Sequence, residues 1–110
     1  MGLFATECVA KGSVIGRYYG TVLDTKSALR TKDKSYLMRL GAQCYVDSKN
    51  TWTCLPRFIN DCRNSEAYNV EFVKSPEEKC AWVKAIRDIK AGEEIYVDYG
   101  KWYWASLKAV

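Results

Sequence analysis

The chain contains no histidine. That absence removes Ser-His and Cys-His catalysis, the commonest general base, and every zinc site that needs imidazole. The five cysteines (Cys8, Cys44, Cys54, Cys62 and Cys80) include no C-x-x-C pair. Their odd number and scatter fit neither a disulfide framework nor a metal knuckle, so they are expected to be reduced, mostly buried small residues, and no structural zinc is expected. No apolar run approaches the roughly 18 residues that a membrane span needs, and no charged segment precedes an apolar signal core. A nuclear or cytoplasmic protein with no secretion or membrane signal is the expectation. Repeats, linkers and low-complexity segments are lacking as well.

What remains is 110 residues, of which 48% are apolar and 27% charged, the profile of one globular domain with a core of its own. The net charge of +4 comes from 17 basic and 13 acidic residues. Basic residues are densest from Lys26 to Lys34, a stretch broken by Asp33 and read as a solvated face. The others are dispersed, which leaves a nucleic-acid-binding β domain as a lesser alternative. The opening "MGLFAT" also matches an N-myristoylation pattern through Gly2 and Thr6.

Short strand patterns separated by turn residues dominate. "LFATECV" leads through a Lys-Gly turn into "SVIGRYYGTVL", rich in β-branched and aromatic residues. "SYLMRL" and "QCYVD" flank Gly41 as a hairpin, and "YNVEFV" and "CAWVKAI" flank "KSPEEK" as a second, punctuated by Pro76. "EEIYV" follows the turn in "DIKAG". Helix is scarce: a turn or two within 25–31, a short one around 55–60, and one after Gly100. The fold class expected is mostly β.

Four stretches, in order along nearly the whole chain, carry a resemblance. "GLFAT" is similar to the tail of a Gly-x-Gly loop, and "YVDS" to an "IDA" strand. "RFINDC" resembles "RFINHSC", and "GEEIYVDYG" resembles "GEELxxDYG". Together they resemble the SET domain, the fold of most protein lysine methyltransferases. The resemblance implies several short curved sheets with few short helices, the Asn60 segment and the Tyr99 strand being threaded together like a pseudoknot. It also places Gly2 inside the fold, where lipidation is the poorer account.

The resemblance further implies methyl transfer from S-adenosylmethionine to a lysine side chain in a protein substrate, with a histone tail as the default. In such a reaction the substrate amine is the nucleophile and a neutral thioether leaves, so a histidine-free, metal-free chain is compatible with it. Tyr99 falls at the catalytic tyrosine and Tyr18 at a tyrosine lining the lysine channel. Gly2, Leu3, Tyr36, Arg57, Phe58, Asn60, Asp61 and Trp104 fall at cofactor-binding positions, Asn60 at the amino-acid end and Trp104 over the adenine. Phe72 and Val97 neighbour the amine in the channel, and neither offers a hydroxyl, which leaves room for di- or trimethylation. Glu94 and Asp98 are expected to hold the turn and the threaded segment rather than to act as a base. Glu71, Glu77, Glu78, Glu93 and Glu94 could meet a basic tail.

The chain departs from that pattern at Asp61 and Cys62, which replace the histidine and serine, and at Arg17, which replaces a glutamate. Tyr68-Asn69 replaces a Pro-Asn pair. Residues 1–110 are read as a single SET domain that lacks the N-terminal strand and the first glycine of the cofactor loop, as a pruned form or a fragment. These departures sustain a second alternative, a catalytically impaired module that binds a peptide or protein partner.

Overall fold

In the computed structural model, residues 2–100 are described. Two small antiparallel sheets form around the hairpins. Strand β1 (Val14–Tyr18) is followed by β2 (Thr21–Leu23), helix α1 (Thr25–Arg30), β3 (Leu37–Gly41) and β4 (Cys44–Asp47). A single 3-10 turn (Leu55–Phe58) precedes β5 (Val70–Ser75) and β6 (Cys80–Ala85). One sheet has the order β1-β6-β5 and the other β2-β4-β3. Both expected hairpins form: β3 pairs β4 with Met38 opposite Val46, and β5 pairs β6 with Val73 opposite Trp82.

The run from Ser13 to Leu23 is not one strand. It breaks at Tyr19-Gly20 and contributes β1 to one sheet and β2 to the other. Gly20 makes the break possible, because a Cβ there would lie 2.2 Å from the carbonyl oxygen of Asp47. The 3–9 stretch is likewise no regular strand; it meets the 89–94 stretch through isolated bridges, Phe4 with Glu94 and Val9 with Ile89. Helix α1 begins where the Asp24 carboxylate accepts the N–H of Ser27 at 2.8 Å, a side-chain N-cap. The short turns within 25–31 and around 55–60 form as expected; the one expected after Gly100 lies outside the described residues.

The main core gathers Ile59, Val70, Val83, Ile89, Ile95 and Val97 from five separate segments. A second cluster joins Tyr18, Met38, Val46 and Cys54 between the two sheets. Cys44, Cys54 and Cys80 are buried and Cys8 and Cys62 exposed, all five as free thiols.

The 94–97 segment threads between earlier segments. Ile95 N–H donates to Leu3 O at 2.8 Å, Val97 N–H donates to Asn60 O at 3.1 Å, and Asn60 pairs with Tyr96 in a parallel bridge. Asn69, wholly buried, clamps the same segment from the far side. Its Nδ2 donates to Glu94 O and its Oδ1 accepts the Tyr96 N–H, each at 2.9 Å. A buried amide that satisfies one backbone donor and one acceptor does what a neighbouring strand would do. The threading brings Gly2, Asn60 and Tyr99 into one region.

Candidate active site

A cavity of about 490 Å³ opens beside the threaded strand. Its aromatic wall comes from Tyr18 on β1, Phe72 on β5, and Tyr68 and Tyr99 on the loops, with Ile59 and Val70 among its aliphatic lining. Tyr18 is 6% exposed, and its hydroxyl donates to Tyr36 O at 2.6 Å. Its ring meets Phe72 edge to face, with centroids 5.7 Å apart. Tyr99 is half-buried, and its hydroxyl donates to the backbone carbonyl of Ile59. The phenol therefore turns inward against the Asn60 segment. Val97 does not join this wall; it is 1% exposed and packs in the main core. Val97 and Tyr99 flank an exposed Asp98 and both pack on the main core, but the small Val97 side chain is wholly buried there while the larger Tyr99 also borders the cavity.

Charged groups of both signs line the cavity: Arg39, Arg57 and Lys74, with Glu71 and Asp98. Desolvation, and then the neighbouring Arg39, hold the Lys74 ammonium pKa below its ordinary value. Asp98 accepts the N–H of Gly100 at 2.8 Å and so shapes the turn after the strand.

A second group of residues gathers around Gly2. The Asn60 Nδ2 donates to Glu94 Oε2 at 2.8 Å. Glu94 also accepts from the Tyr96 hydroxyl, which raises the pKa of that phenol. Gly2 lies so close that a Cβ would stand 2.4 Å from Glu94 Oε2 and 3.1 Å from Asn60 Nδ2. Leu3 packs on the main core. An amide N–H and a carboxylate side by side under a bare glycine backbone offer complementary partners for a group carrying both a carboxylate and an ammonium.

Arg57 forms a third group. Its guanidinium lies 4.3, 4.7 and 4.9 Å from the ring centroids of Trp52, Tyr36 and Phe58. It also donates to Ser48 O and Lys49 O, each at 2.8 Å. Arg57 is buried, and it braces this wall with stacked rings and carbonyls as its partners. Trp104 lies outside the described residues.

Asp61 is the residue whose role sequence reading did not anticipate. Its Oδ2 accepts the N–H of Tyr99 at 2.9 Å, and its Oδ1 accepts the Tyr68 hydroxyl at 2.6 Å and the Arg63 N–H at 2.7 Å. The bond from Tyr68, with burial behind it, pushes that phenol up to about 12. Among the described residues no three of His, Cys, Asp and Glu gather to hold a metal, and no helix is long and apolar enough to cross a membrane.

The family model described as "SET domain" matches residues 1–100. A "Histone-lysine N-methyltransferase, H3 lysine-4 specific" from Debaryomyces hansenii is 32% identical over 106 aligned residues, covering 89% of this chain. "Histone-lysine N-methyltransferase SUVR5" from Arabidopsis thaliana is 31% identical across 91% of the chain, and "N-lysine methyltransferase KMT5A-A" from Danio rerio is 29% identical across 98%. The chain spans 10%, 9% and 34% of the lengths of those three proteins, respectively.

Proposed function

The chain belongs to the SET-domain family, and from that premise we propose that it methylates the side-chain amine of a lysine in a protein substrate, with S-adenosylmethionine as donor and a histone tail as the first substrate to test. The observation that carries this reading is the inward-facing Tyr99 phenol, set in an aromatic cavity next to the Asn60 segment.

The first requirement of such a reaction is an uncharged amine. A free lysine near pKa 10.4 costs about 4.6 kcal/mol to neutralise at pH 7. The walls formed by Tyr18, Phe72, Ile59 and Val70 strip water from a side chain that enters, and desolvation favours the neutral amine. Tyr18 and Tyr99 spend their hydroxyl protons on backbone carbonyls, those of Tyr36 and Ile59. A hydroxyl oxygen that donates in this way still accepts, so both phenols can take an N–H from the amine and orient its lone pair. Holding the amine in one orientation contributes rate by removing the entropy of alignment.

S-adenosylmethionine supplies a sulfonium-borne methyl group when bound. The residues present fit its amino-acid end: Asn60 and Glu94 offer partners to the carboxylate and the ammonium, and the missing side chain of Gly2 lets the backbone lie directly against them. Leu3, Tyr36, Arg57 and Phe58 are the other cofactor-binding candidates. Asp61 contributes through its backbone, because its carboxylate is committed to Tyr99, Tyr68 and Arg63. Phe72 brings no hydroxyl to the cavity, which supports di- or trimethylation.

Calorimetric titration of the protein with S-adenosylmethionine tests the cofactor half of this reading. Saturable binding that Asn60→Ala weakens is the expected result. No heat of binding to a folded protein would overturn it.

A further inference from the structure

We propose that the Asp61 carboxylate is a positioning residue for Tyr99, standing in for a backbone carbonyl where strand pairing ends, and so setting the phenol against Ile59. The effect on turnover rests on the methyl-transfer reading above; the effect on the placement of Tyr99 does not.

Beside the threaded strand, the last parallel bridge among the described residues joins Asn60 to Tyr96, and Val97 donates to Asn60 O. One strand period later, Tyr99 N–H needs an acceptor. The partner segment has by then turned away, with Arg63 at a φ of 56° and its N–H folded back on Asp61. The side chain of Asp61 reaches across instead. Tyr99 is thereby held at both ends by one three-residue segment. Its main-chain N–H is fixed on Asp61 and its hydroxyl on Ile59 O, which fixes the ring between them.

The chemistry demands an ionised carboxylate. Donors approach both oxygens: Tyr99 N–H on Oδ2, and the Tyr68 hydroxyl and Arg63 N–H on Oδ1. A carboxylate accepts on both sides and donates on neither. An asparagine would turn its NH₂ toward one set of donors, and an imidazole offers at most one acceptor nitrogen. The high pKa of the Tyr68 phenol fits the same picture, because its largest cause is the bond to Asp61. The bond also ties two cavity-lining aromatics, Tyr68 and Tyr99, to the residue that follows Asn60.

Amide hydrogen exchange on the full chain, followed by NMR in wild type and Asp61→Asn, tests this. In the wild type the Tyr99 amide should be protected comparably to that of Val97. Asp61→Asn should speed Tyr99 exchange on the order of 10- to 100-fold, the weight of one charge-assisted hydrogen bond, while Ile95 and Val97 stay unchanged. Turnover on a lysine peptide should fall by a similar factor with KM moving less than about threefold, because orientation rather than binding is lost. A wild-type Tyr99 amide exchanging like that of an unstructured chain would overturn the proposal, as would Asp61→Asn with unaltered exchange and turnover. Should the variant fail to fold, the wild-type exchange alone decides. Should the wild type transfer no methyl, the exchange still decides where Tyr99 is held, and only the methyl-transfer reading falls.

Discussion

The rings of Tyr18 and Phe72 meet edge to face across the cavity, 65° apart in plane, joining a β1 residue to a β5 residue two strands away. Both rings line the cavity. Phe72→Tyr adds a hydroxyl there, and the expected outcome is a shift of product toward fewer methyl groups per lysine, read by mass spectrometry of the peptide. An unchanged product distribution would count against Phe72 as a neighbour of the amine. Tyr18→Phe removes the bond to Tyr36 O and should cost about 1 kcal/mol of stability in urea unfolding.

Gly2 is predicted to be intolerant of any side chain. Gly2→Ala would drive a methyl group into the Asn60–Glu94 pair. Cofactor affinity should fall by roughly tenfold or more, about 1.4 kcal/mol, while the urea midpoint moves little. Calorimetry checks the first expectation and denaturation the second. Undiminished affinity in the alanine variant would remove Gly2 from the cofactor site.

Asn69→Ala should be far more damaging to stability than any exposed polar substitution. It strands the Glu94 carbonyl and the Tyr96 N–H inside the fold, at about 1–3 kcal/mol for each group left without a partner. Urea unfolding should therefore show a loss of roughly 2–6 kcal/mol. A loss below about 1 kcal/mol would mean that the side chain is not the clamp described.

The Tyr68 phenol, held at about 12, should ionise after an ordinary tyrosine. Its folded-state value lies above the unfolded one near 10, so the associated stability is fully present below pH 10. It is lost as the pH rises towards 12. Absorbance titration at alkaline pH should show a late-ionising component that Tyr68→Phe removes. A variant curve identical to wild type would place the Tyr68 hydroxyl away from Asp61.

Local punctuation made much of the fold legible. Gly41 and Pro76 mark the turns of the two hairpins, and alternating apolar residues mark their strands. Long-range steric fits were invisible. Nothing near Gly20 announces that Asp47 O lies against it, and so the run from Ser13 to Leu23 read as one strand. Motif resemblance pointed to Tyr18, Phe72 and Tyr99, which the fold brings to one cavity. It also suggested Val97, whose side chain turns into the core. The roles of Asp61 and Asn69 were not legible, because their partners lie 38 and 25 to 27 residues away in sequence. A hydrogen bond closed by threading leaves no periodic trace. The replacement of a histidine by Asp61 was the one available signal, and by itself it said only that the residue differed.

The central claim is that the Tyr99 phenol faces a lysine amine. The most direct test is transfer of labelled methyl from S-adenosylmethionine to core histones, by the wild type and by Tyr99→Phe. The account predicts label on lysine from the wild type and a loss of at least about tenfold in the phenylalanine variant, the scale of one lost hydrogen bond to the reacting group. Equal labelling by the two proteins would contradict it.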